Sequence, residues 1–220
     1  MKSPIGVFDS GIGGLTVYTE LRKVLPADNL MYFADCSHFP YGEKSKEDII
    51  GYSREIADMF IKSGCKAIVI ACNTATSCAL ETLENELDIP VVGVIRPGAA
   101  AAVAETQTGV IGVIATPLTI KNHAYANEIK KINPSLEVME LATPDFAPLA
   151  ETGIHDEETQ KVVSEALKGF EGFDTLVLGC THYPYLYKEI KNAIGDGVSI
   201  IDPAIETSLV VRTLLTELQD

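Results

Sequence analysis

Residues 68–75 read Ile68-Val69-Ile70-Ala71-Cys72-Asn73-Thr74-Ala75, and residues 176–183 read Leu176-Val177-Leu178-Gly179-Cys180-Thr181-His182-Tyr183. Each is an aliphatic run that ends in a small residue, then a cysteine, then side chains able to hydrogen-bond. Apolar residues at nearly every position predict strands buried on both faces, as in parallel sheets covered by helices. Positions 72 and 180 are 108 residues apart, a spacing that suits two similar α/β halves.

Outward from these runs, short β-branched segments alternate with amphipathic ones. Strands are predicted over Ile5–Phe8, Leu30–Ala34, Ala67–Ala71, Val91–Val94, Val110–Ala115, Leu136–Leu141, Thr175–Gly179 and Ser199–Ile201. Helical patterns cover Lys46–Ser63, Thr76–Leu87, Thr119–Ile132, Glu157–Phe170 and Pro184–Ile194. This alternation points to βαβ units and an α/β fold on parallel sheets. Residues 1–94 with 203–220 are expected to form domain one and residues 95–202 domain two, with Gly93–Gly98 as the hinge. Ligands on such sheets bind beyond the carboxyl ends of strands, so chemistry is expected there. Those ends carry Asp9-Ser10-Gly11-Ile12-Gly13-Gly14, Asp35 with Pro40-Tyr41-Gly42, Cys72-Asn73-Thr74, and Cys180-Thr181-His182.

Composition narrows the classes. The 220 residues carry a net charge of −14, and 46% are hydrophobic. So acidic a surface repels nucleic acid and anionic membrane, and gives an anionic ligand no long-range steering. No apolar run is long enough for a membrane span, and the N-terminus MKSPIGVFD lacks a signal-peptide core, so secretion is not expected. The five cysteines include no Cys-x-x-Cys pair, so they read as reduced thiols and no metal site is expected.

Two thiols at equivalent strand ends of facing halves suit removal of a proton from one face of a carbon and its return on the other. A reference thiol pKa near 8.5 needs about one unit of depression to give useful thiolate at neutral pH. A positioned base supplies roughly 10²–10⁴-fold; the rest must come from donors around the developing charge in a dry site. Ser10, Thr74, Thr181, Asn73 and backbone N–H groups at helix N-termini are the candidates. Asp9 follows a buried strand and precedes a Gly-rich turn, and is read as catalytic rather than only a helix cap. His182 is placed to serve Cys180 as a proton shuttle or thiolate-stabilising neighbour. Glu151 alone reads as a solvated acid. Thr76 and Ser77 read as helix N-caps, and Cys36, Cys65 and Cys78 as structural. His38, His123 and His155 receive no role. Gly11-Ile12-Gly13-Gly14 with Asp35 approaches a dinucleotide fingerprint, but Thr16 stands where glycine or alanine belongs.

Four phrases together resemble the signatures of bacterial glutamate racemases, in order and spacing: Phe8–Leu15, Pro40–Gly42, Ala71–Ala75 and Gly179–Pro184. Asp202–Glu206 resembles a fifth, and the resemblance runs from residue 5 to about 210. It implies two pseudo-symmetric, flavodoxin-like α/β domains with the active site between them, and no cofactor. It implies Cys72 and Cys180 as the thiols serving the D- and L-faces of glutamate, assisted by Asp9 and His182, with Glu151 near the second thiol. Asp9-Ser10, Tyr41-Gly42, Asn73-Thr74 and Thr181-His182 are implied to hold the substrate. A homodimer supplying D-glutamate for peptidoglycan in the cytoplasm is the implied role. The chain departs from the family in three places. It ends at Asp220, where a further strand and helix are usual. Leu141–Pro144 lacks a common cysteine, and Ala115-Thr116 replaces glycine-threonine. The rivals are an aspartate or other acidic amino-acid racemase, a Cys180–His182 hydrolase, and a binding protein such as a gyrase inhibitor.

Overall fold

The computed structural model describes residues 3–217. Two parallel four-stranded sheets organise them. The first has the order β2-β1-β3-β4, with β1 Ile5–Asp9, β2 Leu30–Ala34, β3 Ala67–Ile70 and β4 Val91–Gly93. The second has the order β6-β5-β7-β8, with β5 Val110–Ala115, β6 Glu137–Ala142, β7 Thr175–Gly179 and β8 Ser199–Ile201. The two sheets share one topology, and all eight expected strands are present with ends shifted by no more than one residue.

The repetition extends to register. Val7 pairs with Val69 in the first sheet and Val113 with Val177 in the second. Three residues beyond Val69 and Val177 stand Cys72 and Cys180, so the two thiols leave their sheets at equivalent points. The central strands also share an Ile-Gly-Val phrase, at residues 5–7 and 111–113. Each glycine seats a phenylalanine. A Cβ on Gly6 would lie 2.6 Å from the Phe60 ring, and one on Gly112 would lie 2.8 Å from Phe173. Only glycine lets the aromatic ring rest on the strand itself.

Helices cover both faces: α1 Leu15–Val24, α2 Lys46–Lys62, α3 Asn73–Glu86, α4 Ile95–Glu105, α5 Pro117–Lys121, α6 Ala124–Ile132, α7 Phe146–Glu151, α8 Glu157–Ala166, α9 Tyr187–Ile194 and α10 Pro203–Glu217. Local chemistry sets several ends. Ser45 caps α2 by accepting from Asp48 N at 3.1 Å, and acids follow in the first turn, complementing the dipole. The single helix expected over Thr119–Ile132 is two, because His123 takes a left-handed conformation (φ 48°) between α5 and α6. The helix expected to reach Phe170 stops at Ala166, ahead of Gly169 at φ 77°.

One apolar core runs through both halves. Val7, Val69, Val113 and Val177 from the two sheets meet Ala99 and Ala102 of α4 and Ala204 and Val211 of α10. Alanines let these helices approach closely, and a Cβ on Gly98 would lie 2.9 Å from Pro203. The Gly93–Gly98 segment, expected as a hinge, ends β4 and begins α4, with Ile95, Pro97 and Gly98 buried. The outer faces have their own clusters, around Phe60 in the first half and Phe146 in the second. Among the described residues, no helix is long and apolar enough to cross a membrane.

Gly6→Ala forces a methyl into the Phe60 ring, and overpacking of this kind costs about 1–3 kcal/mol. Urea unfolding is expected to show that loss. Phe60→Ala in the same background should relieve the clash, so the double variant lies above the sum of the two single losses.

Candidate active site

The carboxyl ends of β1, β3 and β7 converge on one narrow cleft. Of the residues singled out in the sequence, Ser10, Tyr41, Gly42, Cys72, Asn73, Thr74, Cys180, Thr181 and His182 line it. Asp9 and Glu151 stand directly behind this lining. Asp9 is wholly buried, and its Oδ2 accepts from Gly14 N at 2.9 Å and Gly11 N at 3.2 Å. Its Oδ1 accepts from Thr181 Oγ1 at 3.3 Å. One carboxylate therefore caps the turn before α1 and grips the opposite half.

Cys72 is the N-cap of α3. Its Sγ accepts from Ala75 N at 3.4 Å and donates to Ser10 Oγ at 3.7 Å. This corrects the reading of Thr76 and Ser77 as caps. The helix starts three residues earlier than the pattern suggested. Thr76 Oγ1 donates back to Cys72 O at 2.9 Å and Ile70 O at 3.2 Å, and Ser77 Oγ to Thr74 O. Cys180 has a different partner set. His182 Nδ1 lies 3.7 Å from its Sγ, and His182 Nε2 lies 3.0 Å from Glu151 Oε1. Glu151, a solvated acid when read alone, is thus the third member of a thiol–imidazole–carboxylate chain.

Both thiols sit in a dry site. Burial, with the charge of Asp9 adding to it, pushes Cys72 up to about 12, against weaker pulls from the Ala75 N–H and from Ser10. Burial likewise drives Cys180 well above its ordinary value, opposed by the His182 N–H. The one-unit depression expected for useful thiolate is reversed here, because desolvation outweighs the hydrogen bonds. Burial also raises the Asp9 carboxyl, while His182 and the Gly14 and Gly11 N–H groups act in the opposite sense.

The remaining lining residues are held from behind. Tyr41 OH donates to Asp35 Oδ2 at 2.6 Å, so only its backbone and ring face the cleft. Thr74 Oγ1 lies 2.9 Å from Thr116 Oγ1 of the second half, and Thr116 packs against Gly42. Tyr125 OH donates to Asn73 Oδ1 at 2.6 Å. At Gly13 a Cβ would fall 2.6 Å from His182 and Thr181, so this turn needs glycine to let the two halves touch. Packed on protein in this way, Gly11–Gly14 is no open dinucleotide cradle.

Phe39 and Ala147 also line the cleft, and neither was singled out in the sequence. Phe39 lies tilted against His182, with ring centroids 5.7 Å apart, but a phenylalanine in a polar loop gives no signal of that. His38, His123 and His155 each face a carboxylate, of Asp35, Glu140 and Glu189 respectively. Cys65 and Cys78 are buried as expected for structural cysteines, whereas Cys36 is exposed.

The family model described as Asp/Glu/Hydantoin racemase matches residues 5–207. A glutamate racemase of Geobacter metallireducens is 50% identical over 214 residues, 96% of this chain and 79% of that protein. A glutamate racemase isoform from Bacillus anthracis superposes with a TM-score of 0.95 at 40% identity, over 98% of this chain and 82% of that one. The glutamate racemase of Francisella tularensis, solved with D-glutamate, gives 0.92 at 37% identity, over 99% and 82%.

Because burial pushes Cys72 up to about 12 and raises Cys180 well above its ordinary value, both are protonated through neutral pH. Timed iodoacetamide labelling read by mass spectrometry is expected to modify exposed Cys36 first. Cys72 and Cys180 should lag by at least about tenfold at pH 8, since only thiolate reacts. Cys72 should catch up only as pH approaches 12.

Proposed function

The chain belongs to the glutamate racemases of the Asp/Glu/hydantoin racemase family, and we propose that Cys72 and Cys180 are the two acid–base groups of its reaction. The observation that carries this reading is positional. The two thiols stand at the same register point of two like sheets and line one cleft between them. In the proposed reaction, one sulfur in its thiolate form takes the α-proton of glutamate. The planar carbanionic intermediate then receives a proton from the other thiol on the opposite face. The net change is inversion at carbon, with the protonation states of the two sulfurs exchanged.

The buried, protonated thiols need help to ionise. An amino-acid ammonium group entering beside them brings a positive charge into a dry site, which favours the thiolate. The α3 N-terminus adds partial positive charge at Cys72. On the other side, His182 held by Glu151 is oriented to exchange a proton with Cys180. Asp9 assists Cys72 and fixes the turn that carries Ser10, and Asp9, Ser10, Asn73, Thr74, Thr181, His182 and the backbone of Tyr41 and Gly42 hold the substrate. Of these, the Ser10, Thr74 and Thr181 hydroxyls, fixed before the reaction, stabilise the carbanionic charge more effectively than mobile water. We read residues 1–94 with 203–220 and residues 95–202 as the two domains that close on the substrate. The remaining proposals are that no cofactor takes part, that the chain works as a homodimer in the cytoplasm, and that the D-glutamate it makes serves peptidoglycan synthesis.

Circular dichroism of L-glutamate, and separately of D-glutamate, tests the reaction without added cofactor and with a thiol reductant present. Both signals are expected to decay to zero. Cys72→Ser and Cys180→Ser should each slow the decay by at least about 10²–10⁴-fold, the worth of a positioned base. Turnover of L-aspartate above that of L-glutamate would overturn the substrate. Unchanged rates in either variant would overturn the mechanism.

A further inference from the structure

Asn73 is 4% exposed and lines the cleft at the first position of α3. Its Oδ1 is occupied by the Tyr125 hydroxyl, while no protein acceptor meets its Nδ2 among the described residues. An amide can turn over by half a rotation at little steric cost, which would exchange donor and acceptor. What fixes its sense is the group that bonds one end. Here that group comes from the other half of the protein, from α6.

The Tyr125 ring is itself immobilised. It is 1% exposed and wedged between two glycines, with Cε1 lying 3.2 Å from where a Gly98 Cβ would be and Cε2 3.2 Å from where a Gly179 Cβ would be. Gly179 immediately precedes Cys180, so one ring touches the strand end that carries the second thiol while its hydroxyl bonds the residue after the first. Burial drives the phenol well above its ordinary range, so it stays a donor at any working pH.

We propose that Tyr125 is a positioning residue for substrate binding, which holds the Asn73 amide with its Nδ2 turned into the cleft as a donor to a carboxylate of glutamate. The inference rests on the functional reading above and deepens it. A donor that bonds the substrate equally before and during proton transfer lowers KM and leaves kcat in place. The sense of the amide is therefore a binding device, separate from the thiols.

The test is a mutant cycle of Tyr125→Phe, Asn73→Ala and the double variant, with kcat and KM measured for both enantiomers. Tyr125→Phe removes one oxygen and keeps the ring in its slot. It is expected to raise KM about tenfold, the scale of a buried partner lost, and to change kcat by less than about threefold. Adding it to Asn73→Ala should cost nothing more, because the group it orients is gone. Asn73→Asp keeps an acceptor for Tyr125 and replaces the donor, and is expected to raise KM at least as far as Asn73→Ala. Multiplying effects in the double variant, a fall in kcat at constant KM, or Asn73→Asp binding like the parent would each overturn the inference. Parent enzyme that racemises neither enantiomer removes the functional reading and this inference with it. Racemisation with multiplying effects removes this inference alone.

Discussion

The contact on which the rest of the site depends is the one between the Gly11–Gly14 turn of the first half and Thr181–His182 of the second. The space is so tight that a single methyl at Gly13 would collide with the imidazole and the threonine hydroxyl. Asp9 binds this junction from inside. It accepts from two N–H groups of the turn and from Thr181, so one buried carboxylate sets the shape of a loop and its distance from the other sheet. Thr16 Oγ1 donating to Thr181 O at 3.3 Å repeats the tie one turn further on. Because both thiols flank this seam, the spacing of the halves and the geometry of the reaction are the same variable.

The second constraint is dryness. The chain carries a net charge of −14 and binds, on our reading, an anion. Long-range attraction does not assist that, so local dipoles must. The cleft supplies hydroxyls, an amide and the N-terminus of α3, with no lysine or arginine in its lining among the described residues. Neutral donors have a further merit here. A nearby cation would stabilise both thiolates permanently, and a racemase of this kind needs one sulfur protonated at every stage. On the proposed mechanism, burial, which raises both thiols, holds the proton on each sulfur until the substrate's own charge arrives.

Much of this was legible in the sequence. Eight strands follow from aliphatic runs, because a strand buried on both faces has few ways to disguise itself. The site residues follow from standing at strand ends, and nine of them line one cleft. What escaped the sequence was set by contacts across long separations. The cap of α3 looked like Thr76 because cysteine is not a usual cap, and the thiol takes that place only because the strand delivers it there. The sense of the thiol shifts was hidden for the same reason: burial is a property of both halves together. Glu151 reads alone as a solvated acid, and only the family resemblance sets it near the second thiol, because its partner, His182, stands 31 residues away. The Ile-Gly-Val phrase shared by β1 and β5 is present in the sequence, but three residues are too few to mark a repeat without the strand register.

The likeness of the two halves makes their differences informative. Matching Gly6 with Gly112 places Ser10 opposite Thr116 and Asp9 opposite Ala115, so the acid survives on one side only. Cys72 rests on a serine hydroxyl and a helix N–H, and Cys180 on an imidazole backed by a carboxylate. Equivalent positions therefore carry unequal acids. For a racemisation this asymmetry is bounded by thermodynamics. The two enantiomers have equal free energy in water, so kcat/KM must be the same in both directions however the thiols differ. Unequal partners can redistribute the free energy only among bound states, making one enantiomer bind more tightly and leave more slowly. The duplicated sheets supply the symmetry that proton exchange across two faces demands. On the proposed mechanism, the single Asp9 and the single His182–Glu151 pair are where the two bound forms come to differ.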